Sequence, residues 1–254
     1  MTTRLRRMEA RDIPAGMRLV EAAGWNQTEA DWQRFLALGP EGCFVAEVNG
    51  EVHGSVATVL YKNKAVERAT IAWIGMVLVT PQHRGRGLGK QLLETGLEHL
   101  GTLKPLTVKL DATPQGQPLY MRFGFTPEYE IERWVLDPAR RRMSMSGGAA
   151  NDTVERSGLE EIIEADARIF GGNRAALLRS LHDDAPEFTG GVCRAGKLSG
   201  YMLGRHGLHA DQLGPWVADN QESARQLLSS FVAASDGRRI LVDCVKAHTV
   251  ARNI

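Results

Sequence analysis

The stretch Val77-Leu78-Val79-Thr80-Pro81-Gln82-His83-Arg84-Gly85-Arg86-Gly87-Leu88-Gly89-Lys90 constrains this chain more than any other. An apolar run of strand type ends at Pro81. A turn of alternating glycines with two arginines follows, and an apolar-periodic segment from Gln91 to Leu100 reads as a helix. Strand, glycine turn and helix in that order present a row of unpaired backbone N–H groups, running through Leu88, Gly89 and Lys90, to whatever binds in the turn. A helix N-terminus carries roughly half a positive elementary charge, which suits phosphate oxygens. Gly85, Gly87 and Gly89 let an anion approach the backbone, and Arg84 and Arg86 can add charge-assisted bonds. The pattern reads as a diphosphate cradle.

Two other phosphate loops are excluded. A P-loop needs a glycine, four intervening residues and then Gly-Lys-Ser/Thr; position 84 is Arg, and Lys90 is followed by Gln91, so the magnesium-binding hydroxyl is missing. The dinucleotide pattern G-x-G-x-x-G fails because the third glycine comes one residue early, without an early βαβ context. What matches is Arg-x-x-Gly-x-Gly at Arg84, Gly87 and Gly89. This resembles the acetyl-CoA loop of the GCN5-related N-acetyltransferase (GNAT) family, in which main-chain N–H groups hold the coenzyme A pyrophosphate.

A second signature, Pro118-Leu119-Tyr120-Met121-Arg122-Phe123-Gly124-Phe125, is similar to the family's Leu-Tyr-x-x-x-Gly-Phe segment. Gly124 fits a helix C′ position with left-handed backbone, and Phe125 would pack back on the helix. The resemblance implies that Tyr120 protonates the departing coenzyme A thiolate. A phenol, with a reference pKa of about 10, carries that proton at neutral pH. A core tyrosine bonded to a carbonyl is the alternative. Thr113 stands where many family members have an asparagine that seats the pantetheine arm, and its hydroxyl offers a partial substitute.

Composition narrows the class. A chain of 254 residues with 43% hydrophobic and 24% charged residues fits a globular protein of one large or two modest domains. A formal net charge of +1 argues against nonspecific nucleic-acid binding. Cys43, Cys193 and Cys244 are too dispersed to suggest a disulfide framework or a zinc site, so no metal is expected and a reducing cytoplasm fits. Neither a signal peptide nor an apolar run of membrane-spanning length is expected.

The element order predicts a mixed α/β fold. Helices are expected over 12–21 and 29–38, around a Gly24-Trp25-Asn26 turn. Phe44 to Val48, Asn49-Gly50 and Val52 to Leu60 form a hairpin pattern. Strands follow over 71–79 and 106–111, and Tyr129 to Leu136 is expected to continue the same sheet. This order is similar to the GNAT fold over residues 1–136. Residues 137–151, ending in Gly147-Gly148-Ala149-Ala150-Asn151, read as a linker.

Residues 152–254 mirror the first part. Arg168 to Asn173 falls where the Gly24-Trp25-Asn26 turn did, Gly196 to Met202 mirrors Gly50 to Val56, and Leu213 to Ala218 mirrors Ile74 to Val79. Leu227-Leu228 stands for Leu92-Leu93. Asp219-Asn220-Gln221-Glu222-Ser223-Ala224 replaces the glycine–arginine turn, and its two carboxylates would repel a diphosphate. The chain also reaches Ile254 without a counterpart of the Tyr120 segment. The whole resembles tandem GNAT proteins whose smaller C-terminal half is degenerate, lacks a cofactor site and helps to wall the acceptor site.

Acyl transfer from acetyl-CoA to a primary amine, in a small molecule or a peptide, is the activity this resemblance implies. Main-chain groups of Met76, Val77, Leu78 and Val79 would stabilise the oxyanion. Asp111, at the end of its strand, would bind or deprotonate the amine; turn chemistry before Pro114 explains it equally well. Glu47 and His83 are further candidate bases. Trp25, Asn26 and Asp31 belong to the helix pair that overhangs the acceptor groove in this family, where an indole and a carboxylate would suit a cation; a core Trp with a helix-face Asp explains them equally well. Two alternatives stand: a noncatalytic acyl-CoA sensor, and an acyltransferase using a longer acyl donor or a hydroxyl acceptor. Oligomeric state is not readable from these residues.

Overall fold

The structure, a computed structural model, describes residues 2–62, 69–138 and 158–246. Contacts divide the chain into two units, Met1–Thr126 with Ala167–Arg174, and Pro127–Asp166 with Ala175–Ile254. The expected linker falls largely outside the described residues, from 139 to 157.

The first unit holds strands β1 (Thr3–Arg7), β2 (Cys43–Val48), β3 (Glu51–Lys62), β4 (Ala69–Val79) and β5 (Thr107–Leu110), paired in that order. All pairs are antiparallel except β4 with β5. The β2–β3 hairpin turns on Asn49 and Gly50, whose φ values of 53° and 88° are the left-handed pair that a two-residue turn requires. Helices α1 (Ile13–Ala23) and α2 (Glu29–Leu38) cover one face, where fully buried Trp32 joins Leu19, Val20, Val45, Ala57, Met76 and Leu78. Helix α3 (Leu88–Leu103) covers the other, packing Leu88, Leu92, Leu93 and Leu100 on Ala46, Val56, Ala72 and Ile74. A short helix, α4 (Gln117–Arg122), adds Tyr120 to that second cluster. Residues 167–174 pack in this unit through Phe170, whose ring centroid lies 5.3 Å from that of Tyr61.

Along β4 the side-chain phase breaks. Ile74 and Met76 are two residues apart, so a regular strand would point both to one face. Ile74 instead faces α3, and Met76 faces α1 and α2. The β3–β4 register shifts between Ser55 and Ala57, and Met76 adopts φ 52°. This is a β-bulge carrying a non-glycine residue in the left-handed region.

The second unit contains β6 (Ile131–Leu136), β7 (Gly190–Arg194), β8 (Lys197–Arg205), β9 (Asp211–Ala218) and β10 (Ile240–Val245). The sheet order is β6-β10-β9-β8-β7, with β9 and β10 parallel. Helices α5 (Leu159–Phe170, of which Ala167–Phe170 belongs to the first unit), α6 (Ala175–Asp184) and α7 (Gln221–Ala234) accompany these strands. The expected mirror is present. Strands β7 to β10 repeat β2 to β5, and the phase break recurs between Leu213 and Trp216, both packed in the α7 cluster. A Cβ on Gly54 would meet Leu92 at 2.7 Å and the Leu78 carbonyl at 3.0 Å, whereas one on Gly200 would meet Leu227 at 3.1 Å and the Val217 carbonyl at 2.9 Å.

One expectation is overturned. Tyr129 to Leu136 does not continue the first sheet: β6 pairs antiparallel with β10, from Ile131↔Val245 to Leu136↔Ile240. Cross-strand charges hold it there. Arg133 donates twice to Asp243, each at 2.8 Å, and Lys246 pairs with Glu130.

Candidate active site

The site begins where β4 and β5 part. Their parallel pairing covers only Ile71–Ile74 against Thr107–Leu110. The bulge at Met76 follows at once, so Met76, Val77, Leu78 and Val79 continue without a β5 partner among the described residues. On the β3 side the bulge is fastened: the Ser55 hydroxyl, fully buried, donates to the Met76 carbonyl at 2.7 Å.

From Val79 the chain enters the turn through Thr80 and a short 3-10 stretch, Pro81–His83. Gly85 and Gly87 have φ values of 72° and 83°, and Gly87 is the residue preceding α3. A side chain at either would be strained by this backbone, although both positions face open space. No side chain caps the helix, and its first backbone bond runs from Gln91 N–H to the Gly87 carbonyl. The N–H groups of Leu88, Gly89 and Lys90 therefore have no protein acceptor among the described residues, which is the condition for holding an anion. Gly89 sits against Val79 and Leu119, with an added Cβ 3.6 and 3.9 Å from them. Arg84 and Arg86 are exposed beside this end, and Lys90 forms a 3.2 Å pair with Glu94. An uncapped helix end, two left-handed glycines and two flanking guanidiniums fit a diphosphate group.

Histidines frame the entrance. The rings of His53 and His83 stack at 4.0 Å, and the Thr80 hydroxyl lies 3.3 and 3.0 Å from their Nδ1 atoms. Burial, and then the neighbouring His83, lower the pKa of His53. Packed in this way, His83 is part of the wall before the turn.

Tyr120 is nearly buried, against Phe125 and beneath the start of α3. Burial raises its pKa above the ordinary phenol value of 10, so the hydroxyl keeps its proton. No protein group among the described residues hydrogen-bonds that hydroxyl. Among the described residues, no carbonyl takes up this hydroxyl. The helix ends as expected, with Gly124 at φ 84° and Phe125 N–H on the Tyr120 carbonyl at 3.3 Å. Thr113 shapes the start of the same helix. Its carbonyl accepts from Gly116 and Gln117 N–H, each at 2.9 Å, and its hydroxyl lies 3.2 Å from Gly116 N. Asp111 stands exposed directly after β5, at the mouth of the β4–β5 parting.

The α1–α2 residues divide. Trp25 is half-buried against the α1–α2 core and Asn26 is buried. Asp31 follows the helix-bound alternative rather than that of an open carboxylate. It is buried at the third residue of α2, where it accepts from Thr28 N–H at 2.8 Å, completing a capping box, and from Arg34 at 2.7 Å. Glu47 is likewise engaged, by Arg6 at 2.9 Å. The sequence reading passed over Ser55, whose one visible signal was a hydroxyl inside an apolar strand pattern.

The second unit closes the matching place. Asp219 N–H donates to the Ser199 carbonyl at 2.9 Å, just as Thr80 N–H donates to His53 at 2.9 Å. In the first unit Thr80–Gly87 then precedes the helix, whereas in the second only Asp219 and Asn220 do. Asn220 caps α7, its side-chain oxygen accepting from Ser223 N–H at 2.9 Å and its amide donating to Ser199 at 3.1 Å. Arg194 reaches the Ser223 hydroxyl at 3.2 Å. The protein's own side chains thus take up donors that an anion would use.

Among the described residues no three His, Cys, Asp or Glu side chains gather as a metal-binding group, and no helix is long and apolar enough to cross a membrane. Two family models, each described as an Acetyltransferase (GNAT) domain, match residues 39–127 and 162–254, together more than half the chain. A holothin acyltransferase from Pseudoalteromonas sp. (strain SANK 73390) is 28% identical over 87% of this chain and 72% of its own. An uncharacterized N-acetyltransferase from Bacillus subtilis (strain 168) is 24% identical over 92% of this chain and 79% of its own. A solved structure assigned to the acetyltransferases, from Pyrococcus horikoshii, superposes with a TM-score of 0.76 at 23% identity, over 99% of this chain and 82% of that one, a likeness of fold.

Proposed function

Because the chain belongs to the GCN5-related acetyltransferases and is an acyltransferase of that type, we propose that it moves an acetyl group from acetyl-CoA directly to a primary amine. The observation that carries this reading is the uncapped start of α3 behind left-handed Gly85 and Gly87, next to the parting of β4 and β5. The N–H groups from Gly85 to Lys90, with Arg84 and Arg86, hold the paired phosphates. The pantetheine arm runs past Thr113 toward Met76–Val79, the stretch of β4 beyond its pairing with β5.

There the amine lone pair attacks the thioester carbonyl carbon. Main-chain N–H groups of Met76–Val79 stabilise the oxygen as it becomes negative; one such donor is worth roughly 3–4 kcal/mol. The carbon–sulfur bond then breaks with its electron pair on sulfur, and Tyr120 gives the thiolate a proton. The incoming ammonium loses its proton toward Asp111 or water, since only the free amine is a nucleophile. Trp25 and Asn26 contribute to the acceptor side, and Asp31 is withdrawn from it because its oxygens serve α2. Cofactor binding is assigned to the first unit alone, in keeping with the Asn220-capped helix of the second. A cytoplasmic setting is inferred from three cysteines that are all free.

Thiol release from acetyl-CoA, followed over a panel of polyamines, amino acids, aminoglycosides, peptide N-termini, lysine peptides and holothin, tests the reading. Acetylated amine at one equivalent per thiol released is the expected result. Acetyl-CoA binding without release in the presence of any amine would contradict it.

A further inference from the structure

A β-bulge turns one carbonyl out of the ladder, and a buried carbonyl needs a donor from elsewhere. At the β4 bulge that carbonyl belongs to Met76, and the donor is the hydroxyl of Ser55 at 2.7 Å, on a residue with no exposure at all. Met76 holds φ 52°, an uncommon conformation for a residue with a Cβ. The contact thus fixes the irregular peptide of β4 that lies two residues past Ile74, the last residue paired to β5.

The second unit acts as an internal control. Its β8–β9 register breaks one residue further along, between Met202 and Gly204, which align with Val56 and Thr58. Pairing of Gly54 with Val79 and of Gly200 with Ala218 aligns the two sheets, so Tyr201 stands for Ser55 and Pro215 for Met76. Pro215 has no N–H to offer. The Tyr201 hydroxyl donates to Asp166 at 2.8 Å. Where the glycine–arginine turn is absent, the residue aligned with Ser55 sends its hydroxyl to Asp166 and the residue aligned with Met76 has no N–H. A bulge kept only for folding would have no reason to lose both together with the turn.

We propose that Ser55 is a positioning residue for acetyl transfer: by holding the Met76 carbonyl it aims the main-chain N–H groups of Met76–Val79 at the thioester oxygen. This rests on the acetyl-transfer reading above. Ser55→Ala removes the donor with almost no change of volume. Its kcat is expected to fall at least about tenfold, a fraction of the effect of deleting an oxyanion donor, with acetyl-CoA affinity within about twofold. Ser55→Cys, a weak donor of similar size, should fall between the two.

Infrared spectra of bound acetyl-CoA labelled with carbon-13 at the acetyl carbonyl give a readout independent of turnover. The stretch should lie below that of free acetyl-CoA in the unsubstituted protein and return toward it in Ser55→Ala. If Ser55→Ala does not fold, Ser55→Cys carries the same comparison. An unchanged kcat and carbonyl frequency would overturn the proposal, and so would a loss of kcat matched by an equal loss of affinity. Failure of the unsubstituted protein to acetylate any amine overturns the acetyl-transfer reading and this proposal together, whereas transfer indifferent to Ser55 overturns this proposal alone.

Discussion

Arg84 folds back on the strand it follows: its Nε donates to the carbonyl of Val79 at 3.0 Å, tying the turn to the last residue of β4. The side chain is otherwise exposed beside Arg86 and the open end of α3. It therefore has two duties, shaping the turn and meeting an anion. Arg84→Ala combined with Gly87→Glu removes a cation, places a carboxylate at the helix end and gives a φ of 83° to a residue that resists it. Acetyl-CoA affinity by calorimetry is expected to weaken at least about 100-fold, some 2.7 kcal/mol. The circular dichroism spectrum should be retained, because both positions lie on the surface.

Tyr120→Phe isolates the proton. The ring stays in its pocket against Phe125, so acetyl-CoA affinity should hold while kcat drops about 100-fold, the low end of general acid contributions. Burial raises the phenol pKa above 10. An acid works only while protonated, so the loss of kcat due to Tyr120 should begin on the alkaline side of that value, and Tyr120→Phe should abolish that limb. A pH–rate profile under saturating acetyl-CoA checks both points.

Asp31 is expected to matter for stability rather than for the acceptor. Asp31→Ala deletes the acceptor for Thr28 N–H and the partner of a buried Arg34, so melting should fall by the equivalent of about 2 kcal/mol or more. The acceptor KM, measured well below that melting point, should stay within about twofold.

The Arg6 cluster sets an acid limit. Arg6 donates to both oxygens of Asp12, at 2.7 and 2.8 Å, and to Glu47 at 2.9 Å. Hydrogen bonds from Arg6 hold the Asp12 carboxyl below its ordinary value of 3.8. A carboxylate whose folded pKa is depressed adds stability that is complete above 3.8 and disappears as pH falls through the folded value. Asp12→Asn should cost about 2 kcal/mol at pH 7 by urea denaturation, with the gap to the unsubstituted protein closing as pH falls below 3.8 and through the lowered folded value.

What the sequence made legible was local. The glycine–arginine turn, the Asn49-Gly50 hairpin and the Tyr120 helix each depend on residues within a dozen positions, and each is where it was expected. The sheet that takes Ile131–Leu136 depends on partners more than a hundred residues away, such as Asp243 for Arg133, and the strand's own pattern suits either sheet. The bulge at Met76 lies inside an apolar run whose one mark of it is Gly75, since apolar residues on both faces leave a phase change unseen. Of the two readings open for Asp31, the structure has the helix-bound one, and Thr28-x-x-Asp31 already spells that helix start in the sequence.

The central claim is that peptide nitrogens at the start of α3 grip the paired phosphates of coenzyme A. Amide resonances of the nitrogen-15-labelled protein, titrated with coenzyme A, test it most directly. Saturable shifts confined to Gly85–Lys90 and the neighbouring Met76–Val79 strand are expected. Unmoved signals in that turn, or shifts centred instead on Asn220–Ser223, would contradict the account.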